Sequence, residues 1–362
     1  MSVILIYIYF IICFLILFYT IGYIVYQRYY QNHEARLIKQ YVNLISDQHL
    51  MLQQVGCIDE NHCLLLSKRL KNINQLIAFE KALNQLESKS DENTDYLMQI
   101  ESTIIELTNY YQQLDQMKQA YLAYFIAKYG RGQWQSPSIY RILVSYLDNP
   151  TIYLRENVLL ATYQQPEPKW IIKVLHYLTE NELFHHSKLI QDGLLTYPFD
   201  CEELIDRLWE ERQTFHPSIF LGLIGYITFK SDRYKETFYQ MLQQEKVDLE
   251  VKASLMRYFK KHHLPKVEPL LIALASDEQD PIRIVAAYVL RDYPSKNVIA
   301  TLKESLTDSN WHVRRNASQS LLAMNISEID ISDVLNGEDR YAKEMFRYHL
   351  QAERRTAHEP IG

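Results

Sequence analysis

Apolar residues crowd the start of this chain: from Val3 to Tyr26 no side chain is charged, and Ile, Leu, Tyr and Phe dominate. At a helical rise of about 1.5 Å per residue, the run spans a hydrocarbon core of about 30 Å with some tilt to spare. Tyr19, Tyr23 and Tyr26 stand near its far end, where amphipathic rings suit the lipid–water interface. A cleaved signal peptide would need a basic start and a small-x-small cleavage site, and neither is present. The pattern predicts a membrane anchor over residues 1–27, a single N-terminal span. Arg28, Arg36 and Lys39 follow it against Glu34, and no base precedes it. Bases prefer the inner side, so the expected localisation is the cell membrane with the large C-terminal part cytoplasmic.

From Glu34 the pattern changes to one apolar residue every three or four positions. Leu37, Tyr41, Leu44, Gln48 and Val55 form a first stripe, closed by Gly56 and the polar run Asp59–His62. Leu66, Leu70, Ile73, Ile77, Leu83 and Leu86 form a second. The run Ser88–Thr94 holds no apolar residue and reads as a turn with an N-cap. A third stripe passes through Leu97, Ile100, Ile104, Leu107, Tyr111 and Leu114 to Phe125, its first steps alternating strictly between three and four as in a heptad seam. Together these predict a helical stalk over residues 28–130. It would either fold back on itself or offer a coiled-coil surface for self-association. Gly130–Gln133 reads as a flexible joint, and the domain boundary is placed there.

Beyond the joint the pattern repeats. An apolar residue followed by a base stands at Leu154/Arg155, Val251/Lys252, Ile282/Arg283 and Val313/Arg314, the last two steps both 31 residues. Weaker members fall between, at Ser187–Ile190 and Ser218–Leu221. Each unit reads as two short helices, from Ser138–Leu147 with Ile152–Tyr163 to Val298–Leu306 with Val313–Met324. Pro150, Pro168, Pro217 and Pro281 mark joints or first turns, where proline is tolerated. The closing pair, Ile329–Leu335 and Tyr341–Glu353, is more polar, as a terminal repeat must be. The predicted fold is all-α: a transmembrane helix, a stalk, and an α-solenoid of six units over residues 131–362.

Asp280-Pro281-Ile282-Arg283 and Val313-Arg314, with Ala286, Ala287 and Ala317 behind them, resemble the HEAT-repeat family, most of all its compact bacterial members. The resemblance covers residues 136–325. It implies that Asp280 caps its helix and that Arg283, with Arg155, Lys252 and Arg314, reaches towards a neighbouring unit's loop. It also implies an extended concave surface, whose usual employment is holding another protein. The function implied is a non-catalytic scaffold or adaptor for a partner protein, such as a membrane-associated enzyme complex. The alternative is an enzyme, or a lyase- or chaperone-like protein, acting on a small ligand in the concave face, because some short HEAT-like proteins process bilins or DNA bases. That reading requires ionisable residues converging in a ligand-sized pocket.

Composition changes this picture little. Nine Gly suit helices, and the 28 Tyr predict buried rings with wet hydroxyls. Residues 28–145 carry as many acids as bases, so the net charge of −6 belongs to the repeats. An acidic array lacks the footprint of a duplex binder, and no nucleic acid is expected. Cys13, Cys57, Cys63 and Cys201 read as reduced thiols; Cys57–Cys63 contains ligand types but lacks the paired spacing of a zinc site. His185-His186 and His262-His263 point about 100° apart on a helix and, with His216, are expected at solvated helix ends. Glu202-Glu203 and Glu210-Glu211 diverge in the same way. Trp134, Trp170, Trp209 and Trp311 read as packing residues. No catalytic residue, cofactor or metal site is predicted.

Overall fold

The structure is a computed structural model that describes residues 2–86, 90–134, 136–148, 150–326 and 328–358. Among these residues the regular elements are all helical. Contacts divide the chain into two compact units: unit 1 comprises residues 1–177 with 196–199, and unit 2 the remainder.

Unit 1 opens with α1 (Ser2–Val55), a single helix of 54 residues. The apolar run and the stripe from Glu34 are one element because no Gly or Pro lies between Tyr23 and Val55. From Tyr9 on, its apolar portion is exposed, and it is long and apolar enough to cross a membrane, with a mean hydropathy of 2.2. From Tyr41 it buries a face made of Tyr41, Ile45, Gln48 and His49. Gly56 ends it in the left-handed region at φ +79°, its N–H donating to the Leu52 carbonyl at 2.9 Å.

Five helices stand where two were expected, α2 (Glu60–Arg69), α3 (Ile73–Gln85), α4 (Ser90–Gln99), α5 (Glu101–Tyr111) and α6 (Gln116–Tyr129), and α7 (Pro137–Ser145) follows where the first repeat helix was expected. The heptad seam from Leu97 to Phe125 therefore does not lie on one helix. Gln112 to Asp115 interrupts it, because the Asp115 side chain accepts the Lys118 N–H and starts a new helix. Ile100, Ile104, Leu107, Tyr111 and Phe125 are all buried inside unit 1, so the seam is core and not a free surface. With α8 (Ile152–Tyr163), the helices form two rows. One row is α1, α3, α6 and α8, its middle joined by the Phe79–Phe125 ring contact at 5.9 Å. The other is α2, α5 and α7. Residues 28–130 thus already alternate helices between two layers.

The Gly130–Gln133 joint is packed, not open. Gly130 is buried against α6, and at Gly132 (φ +76°) an added Cβ would stand 2.7 Å from the Phe199 ring. The fully buried Trp134 side chain next to it explains why: its Nε1–H donates to the Leu97 carbonyl at 2.7 Å and its ring stacks on Phe125 at 5.9 Å. The tyrosines also differ from expectation. Buried hydroxyls donate to carbonyls about one repeat back, Tyr111 to Leu70 at 2.9 Å, Tyr146 to Thr108 at 2.6 Å and Tyr293 to Phe259 at 2.9 Å. A phenol reaches farther than any other neutral donor here, so Tyr ties layers that its ring only packs.

The chain enters unit 2 within α9 (Pro168–Glu180). Unit 2 then alternates α10 (Ser187–Leu195), α11 (Cys201–Glu210), α12 (Pro217–Lys230), α13 (Lys235–Leu242), α14 (Leu249–Lys261), α15 (Glu268–Leu274), α16 (Asp280–Val289), α17 (Lys296–Ser305), α18 (Trp311–Ala323), α19 (Ser332–Asn336) and α20 (Arg340–His358). Each even-numbered helix stacks on the next even-numbered one, from α10 to α20. These spans match the predicted pairs closely, except that the apolar pattern predicts a helix over Leu183–Tyr197, whereas Glu182 (φ +51°) turns the chain and α10 starts at Ser187. Gly222 lets α12 approach α10, since a Cβ there would stand 2.7 Å from Ile190 Cβ and 2.9 Å from the Ser187 carbonyl oxygen. Gly222→Val is expected to cost unit 2 about 1–3 kcal/mol by overpacking, read as a lowered urea midpoint. An unchanged midpoint would show that α10 can retreat.

Candidate binding groove

The even-numbered row of unit 2 is held in register by an ionic ladder at the repeat period. Lys252 Nζ donates to Asp277 at 2.9 Å, in the loop before α16. Thirty-one residues on, Arg283 Nε donates to Asp308 at 2.8 Å, in the loop before α18. Arg314 follows, donating to the Asp308 carbonyl at 2.8 Å. Lys252 and Arg283 thus reach a neighbouring unit's loop as the family resemblance implies, while Arg155 is buried in α8. Asp280 behaves differently: it accepts from Arg283 Nη2 at 2.7 Å and from Asn310 Nδ2 at 2.6 Å and does not cap its helix. Gln279 occupies the cap position, and the guanidinium captures the carboxylate. Burial raises the Asp308 carboxyl, but the hydrogen bonds from Arg283 and the Asn310 N–H outweigh it and leave the group below its ordinary range. Asp277 behaves alike, burial being outweighed by the Gln279 N–H and Lys252.

With the row fixed, α14 presents two faces. Leu255, Met256, Tyr258 and Phe259 are buried on one. Glu250, Ala253, Ser254, Arg257, Lys260 and Lys261 fall together on the other, by the helical angle of about 100° per residue. That second face floors a groove of about 810 Å³ running across α10, α12, α14 and α16. Gly225, Ala253 and Ser254 make its centre by being small, and Leu221, Val285 and Pro281 make its apolar walls. Phe229 (53% exposed) and Tyr288 (39%) flank it. Each carries a cation, Lys261 Nζ at 4.8 Å from the Phe229 centroid and Lys260 Nζ at 5.0 Å from that of Tyr288.

Charge in the groove opposes that of the chain. Lys188, Arg257, Lys260 and Lys261 line it against Glu250 alone. Lys188 is paired with Asp192 at 2.8 Å, and Lys260 stands 3.5 Å from Asp292. Lys261 donates to the Phe229 carbonyl at 3.0 Å, and the neighbouring His262 ring meets the Thr228 carbonyl at 2.8 Å. These end groups of α14 therefore serve the C-terminus of α12, not their own helix. Arg257 has no ion pair among the described residues. It is exposed yet crowded by the groove walls, which lowers its pKa, and the Tyr288 hydroxyl opposes that shift. An arginine stays charged throughout, so it stands ready for an anionic group.

The other residues noted in the sequence have local roles. His186 and His216 accept the N–H groups of Lys188 and Ser218, at 3.1 and 3.2 Å, and so start α10 and α12; the sequence gives little sign of this because His is an uncommon cap. His263 stacks on Tyr293 at 4.4 Å, and His185 is buried. Asp59 caps α2, and His62 turns inward to share a 2.8 Å hydrogen bond with the Tyr96 hydroxyl, so the Cys57–Cys63 ligand types are dispersed. Burial lowers His62 to about 4, despite an opposing pull from Asp59. Glu202 pairs with Arg233. Trp134 and Trp170 are buried and Trp209 packs on Phe238 at 5.7 Å, but Trp311 is 48% exposed beneath Arg315 and lines a second cleft between α18 and α20. Among the described residues no group of three or more His, Cys, Asp or Glu is placed to hold a metal.

Residues 236–335 match the family of HEAT repeats. No curated protein matches the chain. Among solved structures, an engineered protein determined by the Northeast Structural Genomics Consortium is similar at 12% identity, over 87% of this chain and 98% of its own, with a TM-score of 0.35. A likeness that slight carries no argument.

Proposed function

We propose, from the HEAT repeats of residues 236–335 as premise, that this chain is a membrane-anchored, non-catalytic scaffold that holds a partner protein in the groove of unit 2. The observation that carries the reading is the groove itself: a wide, open surface floored by small residues and flanked by exposed aromatics. Exposed aromatic and arginine side chains around a shallow apolar floor are what protein recognition uses. Residues 1–27 supply the anchor, apolar throughout and exposed from Tyr9 on, and the bases after it favour a cytoplasmic array. Residues 28–130 join the anchor to the repeats. A partner within a membrane-associated enzyme complex fits a scaffold held at that surface. The second reading, a small-ligand enzyme, draws its support from the groove's ligand-sized volume.

A photo-crosslinking amino acid at Ser254 in the full chain, in native membranes, is expected to yield one dominant protein adduct. The same probe at Glu304, exposed on the other row, should not. Equal labelling at both positions, or none at Ser254, would sink the scaffold. A small molecule retained in place of a protein would move the reading to the enzyme.

A further inference from the structure

Resting on the scaffold reading, we infer that the partner presents to this groove a short acidic polypeptide segment whose carboxylates meet Arg257 and whose apolar side chains enter the Ala253–Val285 floor. The argument is one of charge complementarity and order along α14. Glu250 stands at the helix's first turn, while Arg257, Lys260 and Lys261 stand at its end on the same face. Along the axis Arg257 lies about 10 Å and Lys261 about 16 Å from Glu250, the reach of about three to five extended residues. The groove is therefore graded from acidic to basic, and it sets the direction of the segment: carboxylates towards Arg257 and a donor-bearing end towards Glu250. Lys188 and Lys260 already have carboxylate neighbours and Lys261 donates to the Phe229 carbonyl, and only a guanidinium offers a planar fork, so Arg257 is the cation placed to form a bidentate pair. Ser254, one turn before it on the same face of α14, can donate to a remaining carboxylate lone pair.

The same observations disfavour other anions. Asp192 and Asp292 rim the bases and Glu250 lies within, a pattern that repels a polyphosphate chain. Apolar residues line the same groove as the bases, and a polyphosphate chain would leave them unmatched.

The test uses the full chain in detergent and fluorescently labelled peptides in which Asp or Glu alternates with Leu, Phe or Tyr, beside counterparts with Asn and Gln. The acidic peptides are expected to bind, to weaken as salt rises, and to lose about tenfold or more in affinity to Arg257→Glu. Arg257→Lys should retain part of the binding and Lys296→Glu, exposed on the other row, all of it. Arg257 forms no ion pair in the fold, so its reversal leaves the ladder intact; Arg257→Gln provides a second variant that must weaken binding in the same sense. Equal binding of acidic and neutral peptides overturns the inference, as does stronger competition by anionic vesicles or single-stranded oligonucleotide. If the Ser254 adduct forms and survives Arg257→Glu, the groove keeps its partner and the acidic segment is refuted. Loss of that adduct in the unmodified chain would instead strike the scaffold reading.

Discussion

Trp134→Ala is expected to lower the stability of unit 1 by about 3–5 kcal/mol, the range for deleting a fully buried large aromatic. More than ring volume is lost. The indole N–H satisfies the Leu97 carbonyl at 2.7 Å, and the ring stacks on Phe125, which itself meets Phe79 across the rows. Trp134's own carbonyl is held by the Tyr140 hydroxyl at 3.0 Å and the Gln165 amide at 3.2 Å, so its backbone cannot easily move to fill the cavity. Trp134→Phe keeps most of the volume and removes the donor, and it should cost about 1–2 kcal/mol less than the alanine variant's loss. Urea titration followed by far-ultraviolet circular dichroism would give both values. A loss below about 1 kcal/mol for the alanine variant would show that residues near Gly130 can collapse onto the site.

The second large effect belongs to the ladder. Asp308 and Arg283 have side chains each 13% exposed, and removing the carboxylate leaves a crowded guanidinium short of its main partner. Asp308→Ala should destabilise unit 2 by about 2–3 kcal/mol, below the ~3–5 of a fully buried pair because Asp280 and backbone carbonyls still accept from Arg283. The sign with pH follows from the direction of the shift. Asp308 lies lower in the folded state than in the unfolded chain, where a carboxyl titrates near ~3.9. Its contribution is therefore fully present above that value and fades as pH falls through the depressed one. The gap in urea midpoint between parent and Asp308→Asn should be flat from neutral pH to about 5 and should narrow only below about 4. A gap that closes near neutrality would mean a histidine, not this aspartate, governs the loop.

Helix positions in unit 2 were legible because proline, aspartate and asparagine punctuate a steady period: Asp248, Asn310 and Ser295 each cap the helix they precede. Unit 1 was less so. Heptad spacing continues across Gln112–Asp115, and periodicity alone cannot tell a long helix from two whose stripes happen to stay in phase. The groove was hidden for a related reason. Arg257, Lys260 and Lys261 read along the chain as a helix end, and only the stacking of four helices brings Phe229, Tyr288 and Lys188 beside them. The HEAT signature bases were visible, yet whether Asp280 would cap or pair depended on Asn310, thirty residues away. Trp311 escaped because nothing local distinguishes an exposed indole from a buried one.

The unbroken helix α1 also sets a phase. Between Tyr30, the exposed aromatic just past the apolar stretch, and the first buried residue, Tyr41, there is no Gly or Pro. Its rise there is about 16 Å and its turn about 100° per residue. For an anchored chain, the side of unit 1 that faces along the membrane is then a matter of residue count. One residue more would swing that side by about 100° while lifting it only about 1.5 Å, whereas four would nearly restore the heading and add about 6 Å of standoff. Height and bearing are geared together by the same screw, and a flexible tether of equal length would decouple both.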